Sequence, residues 1–496
     1  MKKLNLKNFF WSVLGALAIF SGISCTDLEP SYEDSVLVES TSGTFGGVNA
    51  TTFLQSAYND IGAMVEQTNT YALEEVSTDE LVVLSRGADW GDNGIWRLLH
   101  THNWDATHGY VLNTWNERNA AVFRCNQIIA PESNASASEL AQAKLLRAFN
   151  MFYVMDLYGQ VPFRGVNDGV DVDPVVFTRA EAFDFILNDI NEAMADLPLG
   201  NPGDIYTVNQ AFANFLLAKM YINKEVYTGS ADASDYTKVV DAVDAITADG
   251  YVLDPDYFGI FIEENHGSNT EIVLALDRNT GNRVWNILHP NQGGWNGFAT
   301  LGEVYDSFEA SDIRLGEPNL NGIGTGMLIG QQYQPDGSMF FDRQGNPMVF
   351  TKDFPTGLIG NNEITGVRPM KYTRNDAGTP NPGTGLVLAR YSDALLMKAE
   401  AIMKGGTSGD TAESIIDGLR TLRGATATGS YTMDDLLDER RRELYIEGWR
   451  RNDQIRFGTF NNTWDMKDNT EEFRVLYPIP ASAIASNPNL TQNDGY

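Results

Sequence analysis

The sequence predicts a mainly α fold, a tetratricopeptide-like helical superhelix with long loops and a few short strands or hairpins on a separate face. Three observations predict it. The stretch LAQAKLLRAFNMFYVMDLYGQVPF, residues 140–163, places Leu146, Phe149, Tyr153 and Leu157 at i, i+3, i+7 and i+11. Leu145, Phe149, Phe152 and Met155 form a second apolar row, and a helix apolar on two sides is buried between neighbours. Further short helical patterns follow, with small Ala residues at positions of close approach, as in stacked helix pairs. Two regions rich in Gly, Asp and Asn, about 69–110 and 278–300, read instead as long loops.

Taken in order, the chain opens on a targeting segment. Lys2, Lys3 and Lys7 precede an apolar run from Phe9 to Phe20, too short to span a bilayer as a stable anchor. Ser21-Gly22-Ile23-Ser24-Cys25 then has the shape of a lipoprotein signal, with Gly22 where Leu is usual. Residues 1–24 are expected to be removed, Cys25 to carry the lipid, and the acidic stretch 25–48 to act as a tether. Asn49–Ile61 reads as a short helix, and Tyr110–Ala130 as a longer one with Trp115, Val122, Cys125 and Ile129 on one face. Cys125 is then a small buried apolar residue. In the central helix, Gly159 suits a left-handed C-terminal residue, Pro162 follows, and Glu139 suits the positive end of the helix dipole. Helices are expected at Arg179–Leu197, Asn209–Val226 and Tyr236–Ala248. Glu271–Leu276 reads as a strand, and Arg343-Gln344-Gly345-Asn346 as the turn of a hairpin. Helices return at Leu388–Met403, Ala412–Leu422 and Met433–Trp449. The last carries Glu and Arg at i,i+3 and i,i+4 spacing and reads by itself as solvated or salt-bridged.

Composition narrows the function. A net charge of -31 argues against nucleic acid, because phosphate backbones require clustered Lys and Arg. Two Cys exclude a disulfide framework. Five His leave little material for zinc, and His100-Thr101-His102 is read as polar loop histidines. No G-x-S-x-G, Walker or HExxH motif occurs, and Gly322–Gly326 neither follows a clear strand nor opens a helix. Asp168 to Asp173 has the wrong order for an EF-hand and reads as a surface turn. No cofactor is expected, a structural calcium being the open alternative.

Several phrases carry a family resemblance. Arg147-Ala148-Phe149, Asp156-Leu157-Tyr158-Gly159 and Val161-Pro162 resemble the signature helix of SusD/RagB proteins, the outer-membrane nutrient-binding lipoproteins of Bacteroidetes. Glu263-Glu264-Asn265 before Glu271–Leu276, Met370-Lys371-Tyr372, and Glu439-Arg440 through Glu443-Leu444, Glu447-Gly448, Arg450, Asp453 and Arg456 resemble further family phrases in the family's order. The C-terminal stretch from Tyr477 to Tyr496 is similar as well. The resemblance implies one SusD-like domain over 49–496, with an N-terminal part to about 260 and a C-terminal part from about 261. It implies a non-enzymatic lipoprotein on the outer face of the outer membrane, its helical repeats meeting a SusC-like TonB-dependent transporter and its loops binding an oligosaccharide. A peptide ligand, as in the RagB branch, is the alternative within the family, and a surface glycoside hydrolase the alternative outside it.

The tryptophans in the loops indicate where a ligand would sit. Sugars present C–H faces that pack on aromatic rings, and hydroxyl edges that carboxylates and amides bind. Trp90, Trp96 and Trp104 lie in the first loop region, Trp285 and Trp295 in the second. The expected ligand-binding set is Trp90, Trp96, Trp285 and Trp295, with Asp89, Asp92, Asn93, Arg278 and Asn282 supplying polar contacts. Trp115 and Trp449 lie in helical patterns and are expected in the core.

Overall fold

The computed structural model describes residues 44–169, 171–262, 269–277, 281–316, 320–372 and 385–496. The signal, Cys25, residues 25–43 of the tether, Glu263-Glu264-Asn265 and Arg278 lie outside the described residues.

Helix α1 (Ala50–Gly62) is capped by the Asn49 side chain, which accepts from the Thr52 amide at 2.9 Å. Further on are α2 (Asn69–Glu75), β1 (Leu81–Val83), α3 (Ile95–His100) and α4 (Gly109–Ile129). The central helix, α5 (Ala137–Tyr158), starts at a capping box of Ser136 and Glu139 and ends at Gly159 with φ 73°. Every residue from Leu145 to Tyr158 is buried, because α4 packs on one side and α6 (Arg179–Ala193) on the other. A hairpin of β2 (Gln160–Phe163) and β3 (Val175–Thr178) joins α5 to α6. Helices α7 (Gln210–Ile222), α8 (Lys224–Thr228) and α9 (Ala233–Ala248) continue the chain, and α9 packs on α7.

Next come β4 (Ile272–Leu276), α10 (Gly281–Trp285), β5 (Phe298–Thr300), α11 (Gly302–Asp306), β6 (Gly326–Leu328), β7 (Gly330–Gln331), β8 (Val349–Phe350), β9 (Arg368–Met370) and β10 (Leu386–Arg390). The strands form small antiparallel pairs, β1 with β5, β2 with β3, β4 with β10, β6 with β9 and β7 with β8. The chain closes with α12 (Tyr391–Met403), α13 (Ala412–Leu422), α14 (Met433–Leu444), α15 (Arg450–Arg456) and α16 (Ala481–Ser486). Helix α12 packs on both α7 and α9, so C-terminal helices extend the stack that the N-terminal ones begin. Cys125, Trp115 and Trp449 are buried as the helical patterns indicate.

Four local expectations are corrected. Leu388–Met403 is not one helix, because the backbone of residues 386–390 pairs with β4 and the helix starts at Tyr391. Met433–Trp449 is broken by a turn in which Ile446 and Gly448 adopt φ 57° and 87°. A positive φ is costly for a β-branched residue. Two buried carboxylates hold it, Glu80 accepting from the Ile446 amide and Glu75 from the Gly448 amide. Nor is α14 solvated. Glu443 is fully buried and accepts from Arg314, Arg390 and Arg423 at 2.9–3.0 Å, residues from other elements. Finally, His100 and His102 are buried rather than loop-exposed, their Nε2 atoms lying 2.9 and 2.7 Å from the carbonyls of Asp465 and Ser77.

Among the described residues no helix is long and apolar enough to cross a membrane, and no group of His, Cys, Asp and Glu is placed to hold a metal.

Candidate functional site

One strand pair brings the two tryptophan loops together. In the β1–β5 register Leu81 faces Thr300 and Val83 faces Phe298. The loop leaving β1 therefore runs beside the loop entering β5, and the Leu84 amide continues the pairing to the Gly297 carbonyl at 3.2 Å. Buried Arg86 locks them together. Its Nε donates to the Asn296 carbonyl at 2.6 Å and its Nη2 to the Thr365 carbonyl at 2.7 Å. Burial lowers its pKa to about 9, so it stays charged at neutral pH.

On this frame Trp90 lies against Gly297, where even a Cβ would approach its ring to 2.2 Å. Its indole N–H donates to the Trp295 carbonyl at 2.7 Å. The Trp295 ring lies over Trp285, with centroids 5.3 Å apart and planes inclined by 38°. Trp295 is 50% exposed and is the most open tryptophan of the group, while Trp90 and Trp285 are partly covered. Trp96 is corrected as a contact residue. It is 2% exposed, sits beneath Trp90 at 5.9 Å, and spends its N–H on Asp92 at 2.8 Å. Trp104 is packing too, buried with its N–H on the Tyr496 hydroxyl at 2.7 Å.

Of the expected polar residues, Asp89 is exposed beside the Trp90 turn and Asn93 is exposed at the loop tip with φ 53°. Asp92 is exposed but already bonds Trp96. Asn282 donates its amide to Glu66 at 2.6 Å and so anchors α10 to the segment after α1. The structure therefore gathers Asp89, Trp90, Trp285 and Trp295 into one neighbourhood, with Trp96 as its floor.

Sequence reasoning missed a second polar layer contributed by residues 289–363. Arg343, in the hairpin turn, pairs with exposed Asp89 at 3.5 Å and with buried Glu363. Glu363 also accepts from His289 Nε2 at 3.0 Å, while His289 Nδ1 accepts from the Asn291 amide, so the proton resides on Nε2. Burial works to raise the Glu363 pKa, but the Arg343 and His289 hydrogen bonds outweigh it and hold it below the ordinary range. Burial lowers that of His289. Asn291 donates to the Phe341 carbonyl at 2.7 Å, which ties the Trp295 loop to a hairpin whose Phe341 and Met339 rings and chains are exposed. The hairpin turn was legible as Arg343–Asn346; its pairing with Asp89, 254 residues away, had no local signal.

The resulting surface has one open aromatic face, a neighbouring exposed carboxylate and a guanidinium, all on loops fixed by buried hydrogen bonds. It offers stacking and directional hydrogen bonding. A rigid scaffold carrying binding groups on loops is a common form of recognition site.

Comparison with known proteins agrees with this fold. Residues 260–496 match the model of the SusD family. The chain is 28% identical over 491 residues to the starch-binding protein SusD of Bacteroides thetaiotaomicron, covering 86% of this chain and 85% of that one. It is 24% identical over 528 residues to the SusD-like protein P2 of Formosa agariphila, covering 96% and 97%. Among solved structures, a SusD superfamily protein from Parabacteroides distasonis superposes with a TM-score of 0.72 at 20% identity, covering 90% of this chain and 98% of that one. The surface glycan-binding protein A from Bacteroides thetaiotaomicron, in complex with laminarihexaose, superposes with a TM-score of 0.66 at 20% identity and the same coverage. Residues 260–496 thus carry the SusD family match, and the fold of the described chain is similar to that of SusD superfamily structures.

Proposed function

We propose that the protein is a cell-surface glycan-binding lipoprotein that captures an oligosaccharide and delivers it to a SusC-like TonB-dependent transporter. The observation that carries the reading is the Trp295 ring, half exposed over Trp285, on a loop bonded to Trp90, whose neighbour Asp89 pairs with Arg343. Such a ring matches the C–H face of a pyranose, and the flanking charges match its hydroxyls. Relatives named for binding starch and surface glycans support the same ligand class. Cys25 is proposed to hold the chain at the outer face of the outer membrane, since one lipid-modified end needs no spanning helix.

Binding of starch, laminarin and a wider polysaccharide panel in affinity gels tests the reading. Retardation by at least one glycan, without release of reducing sugar, is the expected result. Release of reducing sugar points to a glycoside hydrolase. Retardation by none of them, with binding of peptides instead, points to peptide uptake.

A further inference from the structure

A separate polar cleft of about 340 Å³ lies between α1 and the end of β4. That volume falls inside the ~300–1,000 Å³ range of small-molecule sites. Gln55, Asn59 and Gly62 stand at i, i+4 and i+7 of α1, so one helix face supplies two side-chain amides and then a gap. Tyr206, Thr207 and Asp277 line it as well.

The walls are fixed by hydrogen bonds that need no ligand. The Tyr58 hydroxyl donates to Gln142 Oε1 at 2.7 Å and accepts from the Val208 amide at 3.0 Å. Asp204 Oδ1 accepts from the amides of Tyr206 and Thr207 at 3.3 and 3.2 Å, and the Ala275 amide donates to the Ile205 carbonyl at 2.7 Å. Tyr206 is half-buried, its ring edge close to Gly385, where a side chain would press on it. Burial, and then the Asp277 charge, raise its phenol above the ordinary value, so it remains a neutral hydrogen-bond donor.

The lining combines amides, hydroxyls, one carboxylate and the edge and faces of an aromatic ring, and among the described residues it contains no Lys or Arg. An anionic ligand would meet the Asp277 charge, whereas a polyhydroxylated neutral ligand finds both donors and acceptors. We propose that this cleft is a second saccharide site, taking a short neutral sugar independently of the Trp295 face. The inference rests on the glycan reading for its ligand class.

The test uses the full-length protein labelled with 3-fluorotyrosine, with the Tyr206 resonance assigned through Tyr206→Phe. Maltose and laminaribiose are titrated separately and followed by ¹⁹F NMR. The Tyr206 resonance is expected to shift with at least one disaccharide. The shift should persist in Trp295→Ala and weaken at least tenfold in Asp277→Leu, whose site of change is exposed and whose fold is checked by melting. Loss of the shift in Trp295→Ala would place the effect at the aromatic face and overturn the second site. A Tyr206 resonance unmoved by both disaccharides, in a protein that still binds a polysaccharide in gels, overturns the second site and leaves the glycan reading intact. Absence of binding in both assays overturns both.

Discussion

Asp156 Oδ2 accepts from Arg451 Nη1 at 2.6 Å, joining the end of α5 to the start of α15 across 295 residues of sequence. Both side chains are buried, and Asp156 Oδ1 is filled in turn by the Tyr227 hydroxyl at 2.8 Å and the Asn452 amide at 3.0 Å. Asp156-Leu157-Tyr158-Gly159 and Gly448 to Arg456, two phrases far apart in the chain, are thus halves of one contact. Removing one member of a buried ion pair strands the other, at a cost of about 3–5 kcal/mol. Asp156→Asn is expected to lose about that much stability in urea denaturation; a loss under about 1 kcal/mol would show that the pair is dispensable.

Acid should unfold the protein through α14. Glu443 lies among Arg423, Arg390 and Arg314; burial opposes its charge, but the arginines hold its pKa well below the ordinary range. Neighbouring Glu439, against Arg314 and Arg442, is held at about 2. A carboxylate depressed in the folded state stabilises above its unfolded pKa, near 4.5, and loses that contribution as pH falls through its folded value. Stability is therefore expected to fall steadily from about pH 4.5 towards pH 2, and Glu439→Gln to flatten that slope in a melting series.

Glu74 has the opposite sign. Burial raises its pKa to about 8 against the attraction of Arg451, and neither oxygen has a hydrogen-bond partner among the described residues. Between about pH 4.5 and 8 the unfolded chain has lost this proton while the folded chain keeps it. Stability from this group then falls by about 1.4 kcal/mol per pH unit as pH rises through that window. Glu74→Gln is expected to narrow the difference in melting temperature between pH 6 and pH 9. An unchanged difference would mean that Glu74 is ionised in the folded protein.

Gly297 sets the position of the aromatic site. A methyl there would sit 2.2 Å from the Trp90 ring, so the indole must move and release the Trp295 carbonyl. Gly297→Ala is expected to weaken glycan binding and to lower the melting temperature together. Normal binding with normal melting would contradict the packing described for Trp90.

Cys25→Ala is expected to leave the protein folded but to move it from the membrane fraction to the supernatant. A variant that still pellets with membranes would require another anchor.

Much of the helical frame was legible because its signals are local. The α5 pattern, its Gly159 stop and Glu139 near its start lie within one short stretch. The turn at Tyr445–Gly448 was not, since Ile446 and Gly448 are held by Glu80 and Glu75 from the far end of the chain. At the candidate site, composition singled out tryptophans but could not separate solvent-facing Trp295 from buried Trp96 and Trp104, because the same indole serves stacking and packing. Arg343 and Glu363 gave no warning, as their pairing with each other and with Asp89 depends on β1–β5 register and hairpin placement.

The glycan affinity of Trp295→Ala, measured by titration calorimetry alongside thermal melting, tests the central claim most directly. Trp295 is half exposed, so its truncation should leave melting nearly unchanged. A stacking residue at the centre of a site contributes about 2 kcal/mol or more, so affinity for the glycan identified in gels should fall roughly 30-fold or further. Unchanged affinity in a normally folded variant would contradict the account and place the ligand elsewhere on the surface.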